Sequence, residues 1–186
     1  MEILLMRFVS VVGTFLFMIL CAFYADAGMQ WGDGLWRLEI SGGPGITSGG
    51  TDRDGDLLLK GTLEYEIPAA PHLSLGLRVL PLFVYDQNDR HADTVWGAGA
   101  GFGGRLYTKA GEYRGLFAEA NVHVLGHDNQ FASNSSNLNF LTGLGLGYKF
   151  TSGWHAVLKW EHISNANLSE HNSGVDTLTM GLGYTF

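Results

Sequence analysis

The chain has little to brace itself with covalently. Its one cysteine, Cys21, lies near the N-terminus, so the remainder has no disulfide framework. Basic charge is also short, with 11 Lys and Arg against 18 Asp and Glu and no basic run. That balance argues against nucleic acid as a partner. Beyond residue 27 no stretch is long or apolar enough for a transmembrane helix. If the chain resides in a membrane, it must do so as a closed barrel, because open sheet edges cannot be satisfied in lipid. Prolines are few, at four, whereas glycines number 27 and aromatics make up 12% of the chain. This mixture suits curved β-strands, and a length of 186 residues favours one domain.

The N-terminus carries the one long apolar run. Arg7 precedes Phe8 to Tyr24, and the run ends in Ala25-Asp26-Ala27. A basic start, an apolar centre and a small-x-small ending mark a secretory signal peptide. At roughly 17 residues the run sits at the lower limit for crossing a bilayer, about 17–25, so cleavage after Ala27 is expected in preference to a membrane anchor. A lipoprotein signal would require a small residue before Cys21, and Leu20 is not small. The expected division is therefore a signal peptide at 1–27 and a β-barrel at 28–186.

The rest alternates with period two, as strands do. Leu178, Met180, Leu182, Tyr184 and Phe186 alternate with Thr177, Thr179, Gly181, Gly183 and Thr185. The same pattern places strands around Trp36–Ile40, Leu59–Ile67, Leu73–Val79, Val95–Tyr107, Leu116–Val124, Leu138–Phe150 and Trp154–Ser164. Eight such segments predict an all-β chain, an eight-stranded antiparallel transmembrane barrel. In a membrane barrel the apolar face points to lipid and the polar face lines the interior. The polar faces hold Arg37, Lys60, Arg78, Arg105 and Lys159 with Glu39, Glu64, Glu119 and Glu161. Such a mixture is expensive in a sandwich core but can pair inside a small barrel. An even strand count puts both termini on the periplasmic side. The connection 165–174 then faces outward, and the expected location is the Gram-negative outer membrane.

Segment seven carries the unusual residues. Trp154, Ala156, Leu158, Trp160, His162 and Ser164 share the lipid-facing side, and across the loop Asp176 is in phase with Leu178 and Met180. Pairing Trp154 with Phe186 sets Ser164 opposite Asp176. Polar residues near the interface cost only about 0–1 kcal/mol, so each alone could simply mark the end of the hydrophobic band. Together they supply a nucleophile, a base and an orienting acid. Glu170 is a second acid, but it sits in the loop and out of phase.

The stretch His162-Ile163-Ser164-Asn165-Ala166, followed by Asn172-Ser173-Gly174 and an acid at 176, resembles the C-terminal signature of the PagL-type lipid A 3-O-deacylases. The specific motif spans about fifteen residues, while that family's barrel architecture fits the whole mature chain. The resemblance implies an outer-membrane esterase in which Ser164 is the nucleophile, His162 the base and Asp176 the triad acid. Asn165 and Asn167 would lie at the oxyanion. It implies lipid A of lipopolysaccharide as substrate, hydrolysis of the 3-hydroxyacyl ester through an acyl-enzyme, and no metal or organic cofactor. Two positions depart from the pattern: the family acid is often Glu, and Asn167 stands where Gly is expected.

Other features read as structural. Asp52-Arg53-Asp54-Gly55-Asp56 resembles part of a calcium loop, yet Leu63 stands where an EF-hand needs Glu, so a solvated turn is expected. His123 and His155 belong to the interior, His127 and His171 to loops. Trp31, Trp36, Trp154, Tyr184 and Phe186 read as interface girdle residues. Three rivals remain at this stage: a non-enzymatic structural or adhesion barrel, an acyl-transferring barrel, and a soluble barrel carrying an apolar ligand. A homodimer is also open.

Overall fold

The computed structural model describes residues 34–47, 51–88 and 92–186. The proposed signal peptide and Trp31 lie outside the described residues. Eight strands follow in order: β1 Leu35–Ile46, β2 Leu57–Ala70, β3 Leu73–Asp86, β4 Val95–Tyr107, β5 Gly115–His127, β6 Leu138–Lys149, β7 Trp154–Ser164 and β8 Val175–Thr185. Each pairs antiparallel with its neighbour, and β1 pairs with β8, so the sheet closes into a barrel. One end carries the short turns and the other the longer connections, including 165–174.

Alternation sorts side chains to the two surfaces, because successive residues of a strand face opposite ways. The outer wall bears exposed Leu38, Ile40, Phe102, Leu144, Leu146, Leu158, Met180 and Leu182. An exposed apolar band of this extent is far larger than a soluble monomer presents, and is what a membrane barrel needs. The interior is charged through its middle. Arg105 forks onto both oxygens of Glu64 at 2.6 Å each and donates to Glu119 at 2.7 Å. Arg78 bridges the same two carboxylates at 2.9 and 3.0 Å. Lys60 pairs with Glu161, and Lys159 with Glu39. Gly76 makes room for this network, since a Cβ there would overlap Glu64 Oε1 at 1.8 Å.

The lumen is not polar throughout. At the long-loop end Leu58, Leu80, Phe83, Tyr85, Leu125, Phe131, Leu141, Ile163 and Val175 form a buried apolar plug. A smaller one, of Tyr107, Phe117 and Val157, closes the other end. Leu80, Leu125, Leu141 and Ile163 face inward by regular alternation, but beyond Leu80 the ladder slips before Phe83. Pro81 and Leu82 both face outward at this irregularity, which flips the phase so that Phe83 and Tyr85 turn inward. A proline inside a strand is tolerated at such a bulge. Ile67, assigned from its phase to the outer face, is likewise buried, next to the ladder shift between Pro68 and Ala70.

Removing one partner from a buried ionic network leaves an uncompensated charge, which costs about 3–5 kcal/mol. Arg105→Met is therefore expected to lower barrel stability by about that amount. Urea unfolding of the barrel in lipid vesicles, followed by tryptophan fluorescence, checks it.

Candidate functional site on the outer wall

The β7–β8 ladder fixes the site. Trp154 pairs with Tyr184, not with Phe186, and His162 therefore stands opposite Asp176. This corrects the pairing of Ser164 with Asp176 expected from the sequence, by two residues. The physical reason lies at the far end of β8. Phe186 exchanges backbone hydrogen bonds with Trp36 of β1, at 2.8 and 3.0 Å, so the last residues of β8 run beyond the start of β7.

The corrected register brings His162 and Asp176 together. His162 Nδ1 and Asp176 Oδ1 lie 2.9 Å apart, with the imidazole 35% exposed and the carboxylate only 12%. Ser164 follows two residues on, on the same face of β7. Among the described residues no hydrogen bond joins His162 to Ser164; such contacts are often open in unliganded sites and tighten with substrate. Gly174 provides the space for the ring: a Cβ there would lie 2.7 Å from His162 Cε1. On the inner side, Ile163 and Val175 belong to the apolar plug that backs the site.

The turn after Ser164 is held in an unusual conformation. Ala166 and Asn167 have φ of +53° and +63°, a left-handed region that costs a non-glycine residue roughly 1–2 kcal/mol. Asn is among the side chains that visit it most readily, which gives a reason for Asn167 where the family signature has glycine. Neighbouring amides hold the turn. Asn165 accepts from the Asn167 N–H at 2.9 Å, its own N–H donates to Asn172 Oδ1 at 2.9 Å, and its Nδ2 donates to His171 O and Asn134 Oδ1. The Asn165 side chain is thus buried among the loops rather than turned to the outer wall.

Two other connections lock this loop, and sequence reasoning missed both. Arg53, expected in a solvated turn, is 1% exposed. Its Nη2 donates to Ala132 O at 2.9 Å and reaches Gly174 O at 3.4 Å, and the guanidinium pairs with Asp56 at 3.8 Å. Asp56 also accepts from Tyr85 and the Asn88 N–H. Asn134 joins Asn165 to Asn139 and Ser173. No spacing signals such contacts, since they link three loops far apart in sequence. Asp52 caps its own turn: the Asp54 N–H and the Thr47 hydroxyl hold its carboxyl below the usual range. Among the described residues no group of three or more His, Cys, Asp or Glu is placed to hold a metal ion.

His123 and His155 are buried inside, while His127 ends β5 and His171 lies in the β7–β8 loop. Glu170 is exposed in that loop. The open polar depression above the loops, lined in part by Asp93, Asn129, Ser133 and His171, holds none of the three candidate residues.

A closed eight-stranded barrel with a charged lumen and an apolar outer wall defines the class of outer-membrane-type barrels. Within that class the sequence model of the PagL family, lipid A 3-O-deacylase, matches residues 20–185, and the chain belongs to this family. No curated protein matches the sequence. Among solved structures, the outer-membrane enzyme PagL aligns with a TM-score of 0.65 at 18% identity, over 80% of this chain and 98% of that one. Neisserial surface protein A aligns at 0.54 and 12% identity, over 86% and 100%. A designed transmembrane β-barrel aligns at 0.51 and 12%, over 82% and 96%. These likenesses establish the barrel fold.

Gly174→Ala is expected to push the imidazole out of its slot and lower turnover at least about tenfold, since small misplacements cost on the order of a hundredfold. The barrel should still form. Esterase rates alongside the heat-dependent gel shift of the folded barrel separate the two effects.

Proposed function

We propose that the chain hydrolyses the ester-linked 3-hydroxyacyl chain at the 3 position of lipid A, in the outer leaflet of the Gram-negative outer membrane. The observation that carries this is the His162–Asp176 contact at 2.9 Å, beside Ser164, on the outer wall of the barrel. A catalytic pair there meets a substrate that never leaves the bilayer: lipopolysaccharide diffuses laterally to the wall. Residues 1–27 serve export in this reading, and the long-loop end faces the outside.

The chemistry follows the serine-triad pattern. Ser164 Oγ attacks the ester carbonyl as His162 Nε2 takes its proton. Asp176, bonded to Nδ1, keeps the ring in the tautomer that leaves Nε2 free to accept, and stabilises the imidazolium. Collapse of the tetrahedral intermediate expels the sugar hydroxyl, which receives the proton from His162. Water then enters by the same route, with His162 again as base, and releases the 3-hydroxy acid from Ser164. The oxyanion is served by backbone N–H groups of the 165–167 turn. The N–H of Asn165 is held by Asn172 Oδ1 and that of Asn167 by Asn165 Oδ1, so an entering carbonyl oxygen displaces a side-chain acceptor to reach them.

Mass spectrometry of lipid A from cells expressing the wild-type chain or Ser164→Ala tests the reading. Loss of one 3-hydroxyacyl chain with wild type, and none with the variant, is expected. Unchanged lipid A in both, with the protein folded in the outer membrane, rejects deacylation and leaves a non-enzymatic barrel. A gain in mass dependent on phospholipid would indicate acyl transfer. Asp176→Asn should fold normally and lower kcat by about 10³–10⁴-fold, because the amide favours the wrong imidazole tautomer; steady-state kinetics on purified lipid A measure this.

A further inference from the structure

His162 is gripped from three directions, of which the catalytic reading uses one. Asp176 holds Nδ1, and Gly174 leaves room for Cε1. The third is Trp160, whose indole lies against the imidazole with centroids 6.3 Å apart and planes inclined by only 27°. Residues two apart on a strand face the same way, so proximity is dictated by the ladder. Near-parallel ring planes are not. They are an additional feature of this pair, within the 4.5–7 Å range over which aromatic rings interact favourably.

We propose that Trp160 is a positioning residue for His162, setting the plane of the imidazole from which Nε2 takes the Ser164 proton. The inference rests on the Ser164–His162–Asp176 reading. With Nδ1 tied to Asp176, the ring can still tilt about that hydrogen bond, and a flat surface beside it removes this freedom. Other neighbours do not duplicate the role. Asp176 faces His162 from β8 and neutral Thr142 from β6, while Glu161 and Ile163 on β7 are buried on the inward side. Trp160 is 45% exposed on the wall, where a tryptophan can also serve as an interface anchor. Anchoring, however, makes no demand on the angle between indole and imidazole.

The test compares Trp160→Leu and Trp160→Phe with wild type on purified lipid A. Trp160→Leu is expected to lower kcat by about two- to twelve-fold, the span of aromatic-pair strengths, with KM unchanged. Trp160→Phe should recover part of the loss. Wild-type kcat in Trp160→Leu would overturn the inference. So would a raised KM alone, which would mark Trp160 as a lipid contact. If Trp160→Leu fails to give the heat-dependent gel shift, Trp160→Met supplies the non-aromatic replacement under the same criteria. Deacylation surviving in Ser164→Ala would instead bring down the catalytic reading itself, whatever the Trp160 variants show.

Discussion

Closure of the sheet by the β1–β8 ladder is the constraint on which everything else rests. A membrane supplies no hydrogen bonds to a free strand edge, and pairing Arg37 with Thr185 through to Ile46 with Asp176 removes the last edges. Closure divides every strand into an inward and an outward face, and so makes each residue's parity a choice of solvent. It also fixes how far each strand slides along the next. Asp176 is shared by two ladders, opposite Ile46 of β1 and His162 of β7, so the candidate site lies beside the seam at which the barrel shuts.

The interior follows from the same division. Charged residues turned inward have no water to retreat to, and they pair instead. Arg105 and Arg78 share Glu64 and Glu119, and lysines reach across the lumen to Glu39 and Glu161. Apolar plugs seal this zone at both ends. The upper plug also serves the site, since Ile163 and Val175 alternate with the polar residues on the outer face. A firm apolar backing beneath His162, Ser164 and Asp176 is what a catalytic group needs if its position is to be held.

Much of this was legible in the sequence because period-two alternation is strong where strands are regular. The bounds of β7 follow directly from Trp154 to Ser164, and the interior charges from their parity. The motif from His162 to Ala166 with Gly174 and Asp176 singled out the candidate site, and the structure brings His162 and Asp176 into contact. What failed was whatever depends on sliding or on contacts remote in sequence. The ladder irregularity at Pro81 and Leu82 inverts the parity of Phe83 and Tyr85, and no composition signal announces an inversion. The β7–β8 register differs by two residues because Thr185 bonds to Gly153 before β7 begins, while Phe186 bonds to Trp36 of β1. Arg53 lies in a run of acidic and glycine residues that reads as exposed, yet it is buried under the loop that ends at Gly174.

The account places acyl-ester chemistry on the outer wall of a barrel, with lipid as the medium in which substrate arrives. Its central claim is that Ser164 is the nucleophile. Labelling the folded protein with a lipophilic fluorophosphonate, then mapping the adduct by peptide mass spectrometry, tests that claim most directly. The account predicts one phosphonyl group on Ser164, with labelling much slowed in His162→Ala because the hydroxyl loses its base. Labelling of a different residue, or unimpaired lipid A deacylation by protein fully labelled at Ser164, would contradict it.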